Sequence, residues 1–165
     1  MHRGRLVIFC GIPGSGKTTL AKLVVDGIED SVHIQTDAVR AMLTHPAFSQ
    51  KESQFVYDAC YGVAREALRA GYLVVLDGTF MRDEYRSEAR QRLRRHCSRI
   101  DTIWVHCALE TALQRNSLRE APIPPEKLEG IHSGFQVPKR ALRVDSSLLT
   151  PEAAAEQVTR FLLLR

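Results

Sequence analysis

Apolar positions along this chain alternate between two kinds of segment. Strand-like runs occur at Leu6 to Cys10, Val32 to Gln35, Tyr72 to Leu76 and Ile103 to Cys107, with a weaker one around Ala141 to Val144. The stretches between them carry helical spacing. One helix is predicted from about Lys17 to Val25, closed by Asp26-Gly27, where the glycine is expected in the left-handed C-cap conformation. From Lys51 to Ala70 the residues Phe55, Val56, Ala59, Cys60, Val63 and Ala67 form one stripe, which Gly71 ends. Tyr85, Ala89 and Leu93 mark a third helix from about Asp83 to His96. A last one, Pro151 to Leu163, opens with Thr150 as N-cap and proline at the first helical position. Strands alternating with helices predict a parallel sheet of about five strands covered on both faces.

The first strand leads into Gly11-Ile12-Pro13-Gly14-Ser15-Gly16-Lys17-Thr18-Thr19, a G-x-x-x-x-G-K-T pattern between strand and helix, where a phosphate-binding loop belongs. Glycines let backbone N–H groups turn inward around a polyphosphate, and the helix N-terminus adds partial positive charge. Gly11, Gly14, Ser15, Gly16, Lys17, Thr18 and Thr19 are therefore the candidate ATP-binding residues, with Lys17 reaching the β- and γ-phosphates. Thr18 is the candidate Mg²⁺ ligand through its hydroxyl. The expected architecture is a single three-layer α/β domain of the P-loop NTPase type spanning residues 1–165.

Length and composition agree with one domain. The 165 residues, 44% of them apolar, support one sizeable core. No apolar run approaches the ~20 residues of a membrane span, and Met1-His2-Arg3-Gly4-Arg5 runs into a strand rather than a leader core, so a cytoplasmic protein without membrane contact is expected. Cys10, Cys60, Cys97 and Cys107 lie far apart and read as buried thiols. The six histidines show no metal-ligand spacing. Net charge is +4, and only five of the 23 basic residues are lysine, which is permissive for polyanions but not diagnostic.

Residues that choose the reaction must lie on the acceptor side. Gln35-Thr36-Asp37-Ala38-Val39-Arg40 places a carboxylate just past a strand's C-terminal end, where α/β ligands bind. Asp37 is the candidate catalytic base, and Arg40, on the same face if a helix begins there, the candidate acceptor-binding cation. The competing reading makes Asp37 an N-cap and Arg40 a solvated side chain. Asp77 and Thr79, in Leu76-Asp77-Gly78-Thr79-Phe80, are further acceptor-side candidates; Asp77 alternatively holds Mg²⁺ waters, braces Thr18, or is a plain turn aspartate.

Arginine is the other recurrent signal. Arg115 and Arg119 are spaced one helical turn apart before Pro122-Ile123-Pro124-Pro125, so a segment of about 115–134 is expected to be a lid that closes over ATP. Arg119 is assigned to catalysis and both arginines to nucleotide binding. Arg82, Arg86, Arg90 and Arg94 repeat every four residues among Asp83, Glu84 and Glu88, a pattern expected for a solvated face laced with salt bridges.

Taken together, the phosphate loop, Asp37-Ala38-Val39-Arg40, Asp77-Gly78-Thr79 and Arg115-Asn116-Ser117-Leu118-Arg119 resemble the 5′-hydroxyl polynucleotide kinase branch of the P-loop kinases, which include zeta-toxin-like enzymes. The resemblance implies an aspartate general base at Asp37, an acceptor-phosphate contact at Arg40 and lid arginines at Arg119 and Arg115. It also implies that a helix packs back on the domain after Ala121 to Leu128. Thr36 stands where some members carry another basic residue, and Gly78-Thr79 replaces a Thr-Asn pair. The expected activity is transfer of the γ-phosphate of ATP or another NTP, with Mg²⁺, to the 5′-hydroxyl end of DNA or RNA. The alternatives are a P-loop kinase of a small-molecule alcohol, nucleotide or nucleotide-sugar, and a regulatory NTPase. Oligomeric state is left open.

Overall fold

The computed structural model describes residues 3–47 and 49–164; positions 1, 2, 48 and 165 of the expected domain lie outside them. The elements follow one another as β1 (Gly4–Cys10), α1 (Lys17–Asp26), β2 (Ser31–Gln35), α2 (Thr36–Arg40), α3 (Gln50–Arg69), β3 (Leu73–Asp77), α4 (Asp83–Leu93), β4 (Cys97–His106), α5 (Leu109–Ser117), α6 (Pro125–Ser133), β5 (Leu142–Asp145) and α7 (Pro151–Leu163). The strands form one sheet in the order β2-β3-β1-β4-β5, every neighbouring pair parallel. This is the expected three-layer α/β arrangement.

Two apolar faces explain the layers, because side chains alternate along a strand. Leu6, Ile8 and Cys10 of β1 pack with Leu68 of α3, Leu76 of β3 and Leu93 of α4. Val7 and Phe9 turn the other way, against Leu20 and Val24 of α1 and Val158 and Leu162 of α7. A third cluster, Ile12, Cys107, Ala112 and Leu128, lies under α5 and α6. From β1 the chain moves to the β2 side of the sheet, and from β3 it crosses to the β4 side. The crevice where ligands bind in such sheets therefore opens at the C-terminal end of β1, and the glycine-rich loop occupies it.

Helix starts follow their caps. Ser49 accepts from the Glu52 N–H at 3.2 Å, and Thr150 from the Ala153 N–H at 3.2 Å. Three features differ from expectation. Gly27 has φ −92, so it closes α1 in a right-handed turn rather than the left-handed one. The helix of Asp83 ends at Leu93, and β4 begins at Cys97, because Arg99 to Trp104 pair with Arg5 to Cys10. The short helices α2 and α5 complete the order, and α6 starts at Pro125, inside the stretch after which the resemblance placed a helix, and packs on the domain through Leu128. No helix among the described residues is long and apolar enough to cross a membrane, and all four cysteines are buried free thiols.

Candidate active site

Local geometry shapes the loop after β1. Gly14 and Gly16 both have φ +83, a conformation side-chain-bearing residues rarely adopt, and a Cβ at Gly14 would lie 2.5 Å from the Ala112 carbonyl oxygen. Gly16 is the N-cap of α1, and Lys17 is its first helical residue, buried to 7% exposure. Thr18 is half-buried and Thr19 exposed on the same turn. The N-terminal N–H groups of α1 thus face the crevice, the arrangement that holds phosphate oxygens.

The loop is fixed from behind by Arg115. Its guanidinium donates to Ser146 Oγ at 2.9 Å, to the Ser146 carbonyl at 2.8 Å and to the Gly14 carbonyl at 3.4 Å. Ser146 Oγ in turn donates to the Ser15 carbonyl at 2.7 Å. Beside this network is a cavity of about 210 Å³ lined by Gly16, Thr19, Leu20, Arg115, Ser146 and Ala154, among others. Sequence reasoning singled out Arg115 but not Ser146, whose position past a weak strand gave no chemical signal.

The β3–α4 turn joins the loop to the acceptor side. The Gly11 N–H donates to the Thr79 carbonyl and the Gly78 N–H to the Phe9 carbonyl, both at 3.3 Å. Gly78 lies so close to Thr36 that an added Cβ would stand 2.9 Å from Thr36 Oγ1. Thr36 is buried at the start of α2, and Asp37 follows it as an exposed side chain in that helix's first turn. A continuous chain of contacts therefore runs from Gly11 through Thr79 and Gly78 to the junction that carries Asp37.

Asp77 is placed differently from its assignment to the acceptor. It shares a strand face with Val75, which packs toward α1, and it is 2% exposed. Its Oδ2 lies 3.2 Å from His33 Nε2, and His33 Nδ1 lies 3.2 Å from Gln35 Nε2. Asp77 Oδ1 and Ser15 Oγ are buried without a hydrogen-bond partner among the described residues. An unsatisfied buried carboxylate oxygen on the α1 face fits a hydrated Mg²⁺ beside Thr18 far better than it fits an acceptor.

Arg40 is also engaged elsewhere. It pairs with Glu52 and reaches Ser53 Oγ at 3.4 Å, tying α2 to the start of α3. Arg119 is not on Arg115's helix: α5 ends at Ser117, and Arg119 is exposed just beyond it. The two arginines therefore do not share a helix face. Asn116, buried at 3%, holds the following loop by donating to the Ile123 carbonyl at 2.7 Å and accepting from its N–H at 3.1 Å. Sequence reasoning gave Asn116 no role, since one asparagine between two arginines carries no pattern.

The arginine ridge on α4 is only partly the solvated face expected. Arg82 pairs with Glu84 in solvent, and Arg92 bridges Asp58 and Glu88. Arg86, however, is fully buried. It donates to the carbonyls of Phe80 at 2.5 Å and Gln136 at 2.7 Å and to Asp83 at 2.9 Å. Nearby, burial pushes the Cys10 thiol up to about 12, against the opposing pull of Arg86, Arg90 and Lys17. Burial likewise raises the Tyr57 phenol, with Tyr85 adding to the shift.

Residues 6–138 match the model of a family described as AAA domain. The chain belongs to the AAA domain family. Among curated members similar to it are two proteins named L-seryl-tRNA(Sec) kinase. The one from Methanococcus maripaludis (strain DSM 14266) is 26% identical over 140 residues, which is 81% of this chain and 53% of that protein. The one from Homo sapiens is 29% identical over 117 residues, 66% of this chain and 33% of that protein. The chain thus spans from a third to about half of these relatives. Among solved structures, the Mycobacterium tuberculosis APS kinase in complex with AMPPNP and APS superimposes with a TM-score of 0.78 at 24% identity, covering 99% of both chains. The Pnkp1/Rnl/Hen1 RNA repair complex reaches 0.72 at 19% identity, covering 81% of this chain and 44% of that one. At these identities the likeness to the solved structures is one of fold.

Proposed function

We propose that this AAA domain family member is an ATP-dependent phosphotransferase with an alcohol acceptor. The observation that carries this is the contact chain from the phosphate loop through Thr79 and Gly78 to Thr36, which seats Asp37 at the same sheet edge as Lys17. A hydrolytic switch has no need of an exposed carboxylate there. Kinases named among the relatives support the same class.

In this reading the loop amides and Lys17 hold the polyphosphate, and the cavity beside Arg115 takes the nucleoside. Asp37 accepts the proton of the attacking hydroxyl as the new O–P bond forms and the bond from the γ-phosphorus to the β,γ-bridging oxygen breaks, releasing ADP. Thr18 and the free oxygen of Asp77 would hold Mg²⁺, which, when bound, neutralises charge on the phosphate oxygens. The 115–134 segment, its loop pinned by Asn116, serves as the lid that brings Arg119 to the phosphates and excludes water.

A small-molecule alcohol, nucleotide or nucleotide-sugar is favoured as acceptor over a polynucleotide 5′-end. Arg40, the cation that a polynucleotide reading needs for an acceptor phosphate, is paired with Glu52. The relatives' printed substrate, a seryl-tRNA, belongs in the same acceptor panel.

The test is an acceptor screen with Mg²⁺ and γ-labelled ATP, using AMP, CMP, a set of sugars and sugar acids, seryl-tRNA and a 5′-hydroxyl oligonucleotide. Label transfer to a small alcohol is the expected result. ATP hydrolysis that no acceptor accelerates, and that survives in Asp37→Ala, would establish an NTPase instead.

A further inference from the structure

A second region of the molecule is built to hold negative charge, and the proposed reaction does not use it. β4 is ten residues long, but its outer edge pairs with β5 only from Ile103 onward. Over Ile100 to Thr102 no described strand lies outside it, and residues 138–141 approach β5 across the gap. The gap is a cavity of about 840 Å³, within the size range of small-ligand sites. It lies below the start of β5. Asp101 pairs with Val7, four residues before Gly11, about 13 Å at ~3.3 Å per strand residue, and no phosphate-loop residue lines the cavity, which lies toward the other end of the sheet.

The charge balance of this cavity is one-sided. Its lining includes the cations Arg90, Lys139 and Arg140 and the carboxylates Asp83 and Asp101. Both carboxylates are already matched. Asp101 is flanked by Arg5 at 3.3 Å and Arg99 at 2.6 Å, and Asp83 holds Arg86 at 2.9 Å. The three lining cations have no carboxylate partner among the described residues. Arg90 is held in place by donating to Thr102 Oγ1 at 2.8 Å, which leaves other N–H groups of its guanidinium free for a ligand. Lys139 and Arg140 are exposed at the rim. A fixed planar fork beside two exposed cations recognises phosphate oxygens, which accept bidentate and single contacts together.

We propose that this cavity is a second, phosphate-recognising site, separate from the ATP loop, with Arg90 as its anchor and Lys139 and Arg140 as its rim. Its chemistry suits a phosphate group carried by a free nucleotide or by an RNA backbone.

The two sources separate in one experiment. The intact protein is saturated with Mg²⁺ and a non-hydrolysable ATP analogue, so that the loop is occupied. AMP is then titrated calorimetrically, and a fluorescent twelve-nucleotide RNA by anisotropy. Each titration is repeated on Lys139→Gln/Arg140→Gln, on Arg90→Gln and on Asp37→Asn, with thermal melts to confirm folding.

The expected result is that at least one probe binds, that the rim and anchor variants weaken it about fivefold or more, and that Asp37→Asn leaves it unchanged. If RNA is the ligand, the slope of log K against log salt falls by about 1.4 in the rim variant, at ~0.7 per lost single-strand contact. Binding of AMP but not RNA identifies a free nucleotide, and the reverse an RNA backbone. Failure of both probes to bind overturns the proposal, as does binding that the Lys139, Arg140 and Arg90 variants leave intact. A loss confined to Asp37→Asn assigns the probe to the acceptor cleft and equally overturns it. Because the loop is blocked throughout, none of these results depends on whether phosphotransfer occurs.

Discussion

The buried guanidinium of Arg86 donates to the Phe80 carbonyl at 2.5 Å, and Phe80 is one of two non-glycine residues, among those described, with positive φ, at +41. Such a backbone costs roughly 1–3 kcal/mol and persists only where its surroundings over-determine it. Arg86 supplies that determination, and through Gln136 it also ties the β3–α4 turn to the chain returning from α6. Arg86→Met should therefore lower stability by about 3 kcal/mol, because two carbonyls lose their donors at once. Arg86→Lys should recover only part, lacking the fork. Urea unfolding measures both. A loss under about 0.5 kcal/mol would return Arg86 to the solvated face.

Arg40 and Glu52 are 14% and 10% exposed, too buried for an ordinary surface pair. Arg40→Ala and Glu52→Gln should each destabilise the protein, and the double variant should cost about 1–2 kcal/mol less than their sum. If the pair is only structural, both single variants shift acceptor KM alike. If Arg40 releases Glu52 to hold an anionic acceptor, Arg40→Ala alone raises that KM, and Glu52→Gln does not.

Much of this was readable from the chain. The five strands and the four longer helices follow from apolar spacing, and the phosphate loop from its glycines and its place between strand and helix. What escaped did so for physical reasons. Arginines every four residues normally mark solvent, and spacing does not show the carbonyls of Phe80 and, fifty positions away, Gln136 that let Arg86 sit in the core. Asp77 and Asp37 look equivalent, each following a strand. Asp77 is the last residue of β3, and face alternation turns it inward with Val75, whereas the chain has already left β2 at Asp37, which lies exposed in the first turn of α2. The break between Arg115 and Arg119 is invisible to spacing, because α5 ends without a glycine or proline stop.

Lys17→Ala and Asp37→Ala should both remove transfer, by different routes. Lys17→Ala weakens ATP binding along with turnover, whereas Asp37→Ala keeps nucleotide affinity and loses about 10²–10⁴-fold in kcat. Nucleotide binding by calorimetry beside initial rates separates them. Full turnover in Asp37→Ala would show that another group takes the proton.

Asp77→Asn should reduce the part of ATP-induced thermal stabilisation that depends on Mg²⁺, while leaving stabilisation by ATP with a chelator in place. Asparagine keeps the shape and removes the charge from the oxygen that has no partner. An equal loss with and without Mg²⁺ would make Asp77 a structural partner of His33 alone.

Alkaline pH should destabilise the fold through its buried thiols. Burial pushes Cys10 up to about 12 and Cys60 up to about 11, from an ordinary value of 9.0. Below pH 9 both thiols are neutral in the folded and unfolded chains, and the shift has no effect. As pH rises past 9 the unfolded chain loses these protons while the folded one keeps them, so stability falls with pH until the folded thiols also ionise. The window is therefore about pH 9 to 12. The urea midpoint should drop between pH 8 and pH 10.5, and Cys10→Ala should flatten that drop even where it lowers the midpoint itself. The same burial predicts that thiol reagents at pH 8 label Cys10 only after denaturant is added, and rapid labelling of the native protein would contradict it.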